Sequence, residues 1–148
     1  MAKSTKRQGD MRSLKLFITA FALVTLVSCS DSEEVFGGDN WTVINYWAVW
    51  CKPCREEIPE LNHLNDVTGI EVLGVNFDRK SGEALYGDAQ HLGLEFENIG
   101  DPSQQLGIER QTVLPTTVIL SPSGDVEAVL IGPQTKATIL AVIRPNKD

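Results

Sequence analysis

The sequence predicts an α/β domain built on a central mixed sheet that is flanked by helices. Two almost continuous apolar runs, residues 42–50 and 70–77, are separated by a helical pattern, which is typical of buried parallel strands in a βαβ unit. Two later runs, residues 116–120 and 126–131, are joined by Ser-Pro-Ser-Gly-Asp, a turn sequence that predicts an antiparallel hairpin. A final helical stretch follows, so the order is a βαβ unit and then a C-terminal ββα unit.

The helices are predicted from apolar spacing and end signals. They cover residues 54–66, 81–91 and 135–143, with a short additional helix over 102–108. The first helix has Ile58, Leu61 and Leu64 on one face, and Pro59 inside it predicts a kink. We expect Pro145 to end the last helix.

The N-terminal segment has the pattern of an export signal. A basic stretch precedes an apolar run at residues 16–27, which is shorter than the about 20 residues that a bilayer-spanning helix needs. The run ends at Leu26-Val27-Ser28-Cys29, which resembles the lipobox of bacterial lipoproteins, with Cys29 as the lipid acceptor. The alternative is that Cys29 is an ordinary apolar residue of the signal. The predicted organisation is a lipoprotein signal peptide at 1–28, a tether at 29–40 and a domain at 41–148.

The charge balance argues against a nucleic-acid partner. Removal of residues 1–28 leaves 8 basic and 19 acidic side chains, a formal charge of −11, which phosphate would repel. We expect the mature chain on the periplasmic side of the cell envelope, attached by its lipid. Ser30, rather than aspartate, follows Cys29, which by the usual sorting rule permits transfer to the outer membrane and leaves the inner membrane possible.

The segment Trp50-Cys51-Lys52-Pro53-Cys54 carries the predicted chemistry. Cys51 is expected at the junction of a strand and a helix, where the positive helix end lowers the pKa of a thiol. A thiolate is the attacking group in disulfide exchange, so Cys51 is the predicted nucleophile and Cys54 the resolving cysteine. Pro53 stiffens the turn, and Lys52 adds a nearby positive charge.

The cysteine pair has two other interpretations, a zinc site and a static structural disulfide. A zinc site needs about four ligands, but no further cysteine is free, and His63 and His91 fall on separate predicted elements. A static disulfide is possible, although so short a loop restrains the unfolded chain little. No metal and no cofactor are expected, because the Cys51–Cys54 pair is itself the redox group.

Residues 45–59 resemble the active-site segment of the thioredoxin superfamily, in particular its TlpA/ResA/DsbE-like branch of exported proteins. Pro59 corresponds to the proline of the active-site helix, and Glu57 matches the Cys-x-x-Glu-x-Pro pattern of the branch. Leu114-Pro115 is similar to the loop whose proline is cis in the family. The resemblance implies a thioredoxin-like fold and a Leu114 backbone that pairs with the substrate.

The resemblance also implies a function. Such proteins exchange thiols with exported clients, usually as reductants in cytochrome c maturation or general periplasmic reduction, with electrons from a membrane donor of the DsbD/CcdA kind. An oxidant, or a binding module that keeps the fold without catalysis, is the alternative.

The sequence departs from the family at several positions. Asn45 stands where thioredoxin has a buried aspartate that assists proton transfer. Asp78, at the end of the second predicted strand, is the best-placed acid to replace it; the alternative is that Asp78 is a solvated residue at the strand end. Val113 stands where many relatives carry glycine. We expect Trp47 to be packed and Trp50 to be a partly exposed lid. The N-terminal hairpin common in the branch is expected to be reduced or absent.

Overall fold

The computed structural model describes residues 36–144. β1 is the centre of a five-stranded sheet with the strand order β3-β2-β1-β4-β5. The elements are β1 (Trp41–Trp47), α1 (Lys52–Asn65), β2 (Ile70–Asn76), α2 (Gly82–Leu92), β3 (Glu97–Ile99), β4 (Thr116–Leu120), β5 (Val126–Ile131) and α3 (Lys136–Ile143). β1, β2 and β3 are parallel, whereas β4 runs antiparallel to β1 and β5 antiparallel to β4. The predicted mixed sheet with its C-terminal hairpin is therefore confirmed.

The three helices within residues 36–144 cover one face of the sheet. Side chains from α1 and α3 form one buried cluster with Val43 of β1. Trp47 lies on the same face of β1, because side chains two or four residues apart in a strand point the same way. Trp47 packs with Leu85, Ala89 and Leu92 of α2, which brings α2 to the face already occupied by α1.

On the opposite face of the sheet, the described residues contribute no covering helix. Its buried cluster contains Ile44 and Tyr46 of β1 together with residues of β2 and β4. Phe36 packs against this cluster, as do apolar side chains of the segment that joins β3 to β4, among them Leu106 and Ile108. This connection, residues 100–115, is called the covering segment below.

The prediction of a short helix over residues 102–108 is wrong, because this part of the covering segment consists of hydrogen-bonded turns. Leu106 N–H donates to Pro102 O, but Gly107 adopts a φ of 66°, which a continuing helix does not allow. β3 was not predicted. It has only three residues, of which Glu97 is exposed, so it has no apolar alternation to reveal it.

Several predicted boundaries shift by a few residues. β1 ends at Trp47 rather than at residue 50, and α1 begins at Lys52 rather than at residue 54. α3 begins at Lys136, with Thr135 as a capping residue whose hydroxyl accepts from Thr138 N–H. α1 continues through Pro59.

Some predictions concern residues outside the described range. The signal peptide, Cys29, Ser30 and the helix-ending Pro145 all lie there. Part of the predicted tether is described: Phe36 packs against the sheet, and Gly38 N–H donates to Pro122 O at 2.8 Å.

Candidate active site

Cys51 and Cys54 form a disulfide at the N-terminus of α1, with their Cα atoms 5.3 Å apart. After β1, a turn in which Cys51 N–H donates to Ala48 O at 3.1 Å brings Cys51 to the capping position of the helix. Cys54 N–H donates to Cys51 Sγ at 3.2 Å. A sulfur in this position faces the positive end of the helix, which stabilises a thiolate relative to a thiol.

The residues between the two cysteines differ in their surroundings. Pro53 occupies the first turn of α1, where the missing N–H removes no hydrogen bond of the helix. The side chain of Lys52 is 77% exposed and forms an ion pair with Glu56 at 3.0 Å. Cys51 and Cys54 are 4% and 0% exposed, so the first cysteine is slightly more accessible than the second.

The Leu114–Pro115 peptide bond is cis, as the family resemblance implies. Leu114 packs against the cluster that contains both cysteines. The turn is held by Thr116 Oγ1, which donates to Val113 O at 2.8 Å, and by Gly132 N–H, which donates to Pro115 O at 2.9 Å. Within residues 36–144 the only non-glycine residue with positive φ is Arg79, so the position of Val113 needs no glycine.

A buried polar cluster surrounds Glu57, which lies on α1 about one helical turn beyond Cys54. Glu57 Oε1 accepts from Asn45 Nδ2 at 2.7 Å, and Glu57 Oε2 accepts from Gln134 N–H at 2.8 Å. Asn45 Nδ2 also donates to Thr117 Oγ1 at 3.2 Å. Glu57 is three residues beyond Cys54, so both side chains project from the same face of α1.

Burial raises the pKa of Glu57 to about 6, although the hydrogen bonds from Gln134 and Asn45 oppose the rise. Asn45 Oδ1 is buried and has no hydrogen-bond partner among the described residues. The cluster therefore contains one acid that titrates near neutrality and one unused acceptor beside it.

Trp50 stands at the rim of the site and is 61% exposed. Its indole N–H donates to the Asp78 carboxylate, with Nε1 3.0 Å from Oδ2 and 3.2 Å from Oδ1. Its ring contacts Phe77 edge to face, with 6.1 Å between centroids. Trp47, in contrast, is fully buried and donates to Asn98 Oδ1 at 2.9 Å.

Arg110 links the covering segment to this rim. Its guanidinium stacks on the Phe77 ring at 4.9 Å, donates to Phe77 O and pairs with Asp101 at 2.8 Å. Asp101 also accepts from the Tyr46 hydroxyl at 2.9 Å and from Ser103 N–H at 3.1 Å.

Both acidic groups of this network have shifted pKa values. Burial, supported by the bond to Asp101, raises the pKa of the Tyr46 hydroxyl. Burial also acts to raise the pKa of Asp101, but hydrogen bonds from Ser103 and Tyr46 and the Arg110 charge outweigh it, so the pKa lies below its usual value. Asp101 is therefore ionised and already paired.

No group of His, Cys, Asp and Glu side chains in residues 36–144 is arranged to hold a metal ion. His63 and His91 are exposed, in the last turns of α1 and α2 respectively.

Comparison with known proteins identifies the family. A model of the AhpC/TSA family matches residues 19–129. The chain therefore belongs to this family, within its thioredoxin-like members.

Relatives of similar sequence include proteins named for thiol-disulfide exchange. The chain is 34% identical to thiol-disulfide oxidoreductase ResA of Geobacillus kaustophilus over 65% of this chain and 57% of ResA. It is 32% identical to thiol:disulfide interchange protein HelX of Rhodobacter capsulatus over 70% of this chain and 58% of HelX. The matched part is thus somewhat more than half of each relative's length. Among solved structures, a secreted thiol-disulfide isomerase from Corynebacterium glutamicum superposes with a TM-score of 0.63 at 28% identity, covering 73% of this chain and 71% of that one.

Sequence reasoning identified the cysteines, Leu114–Pro115 and Asn45; the structure packs Leu114 with the cysteines and joins Asn45 to Glu57 of α1 by a hydrogen bond. From the sequence, Glu57 was identified only as a match to the family pattern, with no chemical role. Arg110 and Gln134 were not predicted, because their partners are distant in sequence and no local pattern indicates such contacts.

Proposed function

We propose that the chain is a thiol–disulfide oxidoreductase that exchanges its Cys51/Cys54 dithiol with disulfides of exported client proteins, acting as a reductant. The observation that carries the proposal is the position of the pair: Cys51 Sγ receives a backbone N–H at the start of α1, and both cysteines pack with Leu114. The names of the relatives support the same reaction.

The proposed reaction starts from the dithiol form. The Cys51 thiolate attacks one sulfur of the client disulfide, and the other client sulfur leaves as a thiolate that takes up a proton. The Cys54 thiolate then attacks Cys51 Sγ, which releases the second client thiol and forms the Cys51–Cys54 disulfide. Two electrons and two protons pass from the dithiol to the client. Leu114 and Pro115 hold the client backbone beside the pair, as an added strand would.

Reduction of insulin tests the enzymatic part of this proposal. We expect wild-type protein to accelerate the reduction and Cys51→Ser to abolish the acceleration. Cys54→Ser should accumulate the client as a mixed disulfide on Cys51, which mass spectrometry would detect. Equal rates for wild type and Cys51→Ser would leave only the binding-module interpretation.

The attack by Cys54 requires a proton acceptor, and two carboxylates are candidates. Asp78 is the residue proposed from the sequence; it is exposed and accepts from Trp50. Glu57 is the second candidate, since it is buried on the same face of α1 as Cys54 and its pKa of about 6 suits proton exchange near neutrality.

The release of client from the mixed disulfide, measured against pH, separates the two carboxylates. If Glu57 is the acceptor, Glu57→Gln should slow the release of client and remove an inflection near pH 6 from the pH profile. Asp78→Asn should keep both the wild-type release rate and the inflection. Slower release in Asp78→Asn, with release unchanged in Glu57→Gln, would assign the role to Asp78.

The direction of electron flow is proposed from the family resemblance. Equilibration in glutathione buffers should give a reduction potential in the range of thioredoxin, about −270 mV. A value near −120 mV, as in strong oxidants, would make the protein an oxidant. We propose a membrane donor of the DsbD/CcdA kind as the source of electrons.

We further propose an envelope location with a lipid on Cys29. The export-signal pattern of residues 1–28 supports this location, and the Corynebacterium glutamicum protein is described as secreted. Among the helices of residues 36–144, none combines the length and apolar character needed to cross a bilayer. Palmitate labelling of cells should mark wild-type protein but not Cys29→Ala. Label that persists in the variant would contradict the anchor.

A further inference from the structure

An exposed aromatic ring beside the nucleophile is held from two sides. Trp50 directly precedes Cys51 and is 61% exposed, so most of its surface faces solvent rather than the core. Its indole N–H donates to Asp78, and its ring contacts Phe77 edge to face. Phe77 also packs against the cluster that contains both cysteines. The orientation of Trp50 therefore depends on two consecutive residues, Phe77 and Asp78.

Arg110 contacts both of these supports through one peptide unit. Its guanidinium lies over the Phe77 ring, with Cζ 4.9 Å from the ring centroid, and its Nη2 donates to Phe77 O at 2.8 Å. That carbonyl belongs to the peptide group that joins Phe77 to Asp78. A single side chain of the covering segment therefore fixes the ring of the first residue and the backbone that leads to the second.

Arg110 is itself held in place by groups of the sheet. Its Nε donates to Asp101 Oδ2 at 2.8 Å, and both side chains are partly buried. Asp101 Oδ1 accepts from the hydroxyl of Tyr46, a fully buried residue of β1, at 2.9 Å, and from Ser103 N–H at 3.1 Å. Because a planar guanidinium donates in fixed directions, this pairing sets the plane that lies against Phe77. The rim of the site is thereby anchored to the central strand.

A ring that is ordered before binding favours association with a protein client. Tryptophan is among the residues that most often carry binding energy at protein interfaces. A side chain that must be ordered during association weakens binding by roughly 2- to 12-fold. Because the contacts of Trp50 hold its ring beside Cys51 in the unbound protein, this cost does not arise when a client binds.

We propose that Arg110 is a positioning residue for the binding of protein clients, an inference that rests on the function proposed above. Arg110 fixes Phe77 and Asp78, and these two residues hold the Trp50 ring in the orientation that a client meets beside Cys51. The exchange reaction itself is carried out by the cysteine pair at the start of α1. Reduction of a protein disulfide therefore depends on Arg110, whereas reduction of a small disulfide does not.

The test compares a protein client with a small disulfide. The purified full chain in its dithiol form reacts either with insulin or with 2-hydroxyethyl disulfide, which presents only two short polar arms beyond its sulfur atoms. Acid-quenched samples are alkylated and analysed by mass spectrometry, which gives the rate constant for the loss of the dithiol. Arg110→Gln should lower the rate constant with insulin by roughly fivefold and leave the rate constant with the small disulfide unchanged.

Two controls separate positioning from a general loss of stability or charge. Ile139→Val destabilises the buried cluster around α3 without touching the rim and should keep both wild-type rate constants. Arg144→Gln makes the same charge change at the end of α3 and should also keep both.

A double-mutant cycle and nuclear magnetic resonance test whether Arg110 acts through Trp50. In a Trp50→Ala background, Arg110→Gln should have no further effect on the insulin rate constant. In ¹⁵N relaxation measurements, Arg110→Gln should lower the order parameter of the Trp50 indole N–H below about 0.6, the range of flexible groups. The indole of Trp47, which is buried and donates to Asn98, should keep its wild-type value.

Each contrary result has a distinct meaning. If wild-type protein does not reduce insulin, the proposed function on client proteins is wrong. If wild type and Arg110→Gln reduce insulin equally fast, the function stands and the positioning role is wrong. Equal slowing with insulin and with the small disulfide would show that Arg110 acts on the thiols or on the fold, which also overturns the inference. A loss with insulin that persists in the Trp50→Ala background would show that Arg110 acts without Trp50.

Discussion

Replacement of Glu57 by glutamine should change how the stability of the protein depends on pH. Glu57 is 2% exposed, and burial raises its pKa from the ordinary value of 4.5 to about 6. The folded protein therefore binds this proton more tightly than the unfolded chain does. The stabilising contribution is complete below pH 4.5 and is lost as the pH rises through about 6.

The size of the effect follows from the shift. A pKa change from 4.5 to about 6 corresponds to about 2 kcal/mol of unfolding free energy, at about 1.4 kcal/mol for each pH unit. Glutamine cannot titrate, so the difference in unfolding free energy between wild type and Glu57→Gln should fall by about 2 kcal/mol between pH 4 and pH 7.

The cluster can accept an uncharged residue at position 57. Asn45 Oδ1 has no partner, so a rotation of the Asn45 amide would present this oxygen to a protonated Glu57 or to a glutamine NH₂ group. Thr117 Oγ1, which now accepts from Asn45, would donate to it after the rotation. Protonation therefore exchanges one set of hydrogen bonds for another, and Asn45 Nδ2 then takes the position in which Oδ1 has no partner among the described residues.

The assay is urea denaturation of the disulfide form at a series of pH values, so that the cysteines do not titrate. Glu56→Gln is the matched control, since Glu56 is the preceding residue of α1 and its side chain is 61% exposed. This control should follow the wild-type pH dependence. A wild-type minus Glu57→Gln difference that stays constant between pH 4 and pH 7 would refute the argument that burial controls this acid.

Two substitutions test contacts that lie outside the cysteine motif. Gly74→Ala places a Cβ 2.5 Å from Asn98 Oδ1 and should lower the unfolding free energy by about 1–3 kcal/mol in urea denaturation. Gly87→Ala, in α2 with open space around it, should raise the unfolding free energy by about 0.5–1 kcal/mol, and equal effects of the two changes would contradict the packing argument. Arg110→Gln removes an ion pair with Asp101 and a bond to a backbone carbonyl, so we expect a loss of about 1–2 kcal/mol and faster amide hydrogen exchange in residues 100–114. Unchanged exchange there would show that Arg110 does not hold the segment.

The parts of the fold that could be predicted are those with a local pattern. β1, β2, β4 and β5 are nearly continuous apolar runs, and the hairpin has a turn sequence between its strands. β3 and the covering segment have no such pattern. The apolar side chains that hold the covering segment against the sheet occur at irregular intervals among exposed residues. The position of the segment therefore depends on tertiary contacts and cannot be predicted from sequence spacing.

The same distinction applies to the candidate site. The cysteine pair can be recognised in the sequence because its chemistry depends on two residues that are three positions apart at the start of one helix. Glu57, in contrast, owes its raised pKa to its burial, and its partners Asn45 and Gln134 are 12 and 77 residues away. Likewise, the Arg110 side chain contacts Asp101, nine residues away, and Phe77, 33 residues away. Sequence spacing therefore indicates the nucleophile, whereas the acidity of Glu57 and the contacts at the rim are set by tertiary structure.

The covering segment connects the stability of the sheet with the shape of the site. Among the described residues, this segment covers the face of the sheet that has no helix. Arg110 attaches the segment to the rim of the site, because its guanidinium contacts both Phe77 and Asp101. Phe77 contacts Trp50 at the rim, and Asp101 accepts from Tyr46 of β1. A change that frees Arg110 should therefore disturb the rim and the covering segment together, while the disulfide at the start of α1, which is held by β1 and α1, keeps its geometry. The rim of the site and its disulfide thus depend on different contacts of the fold.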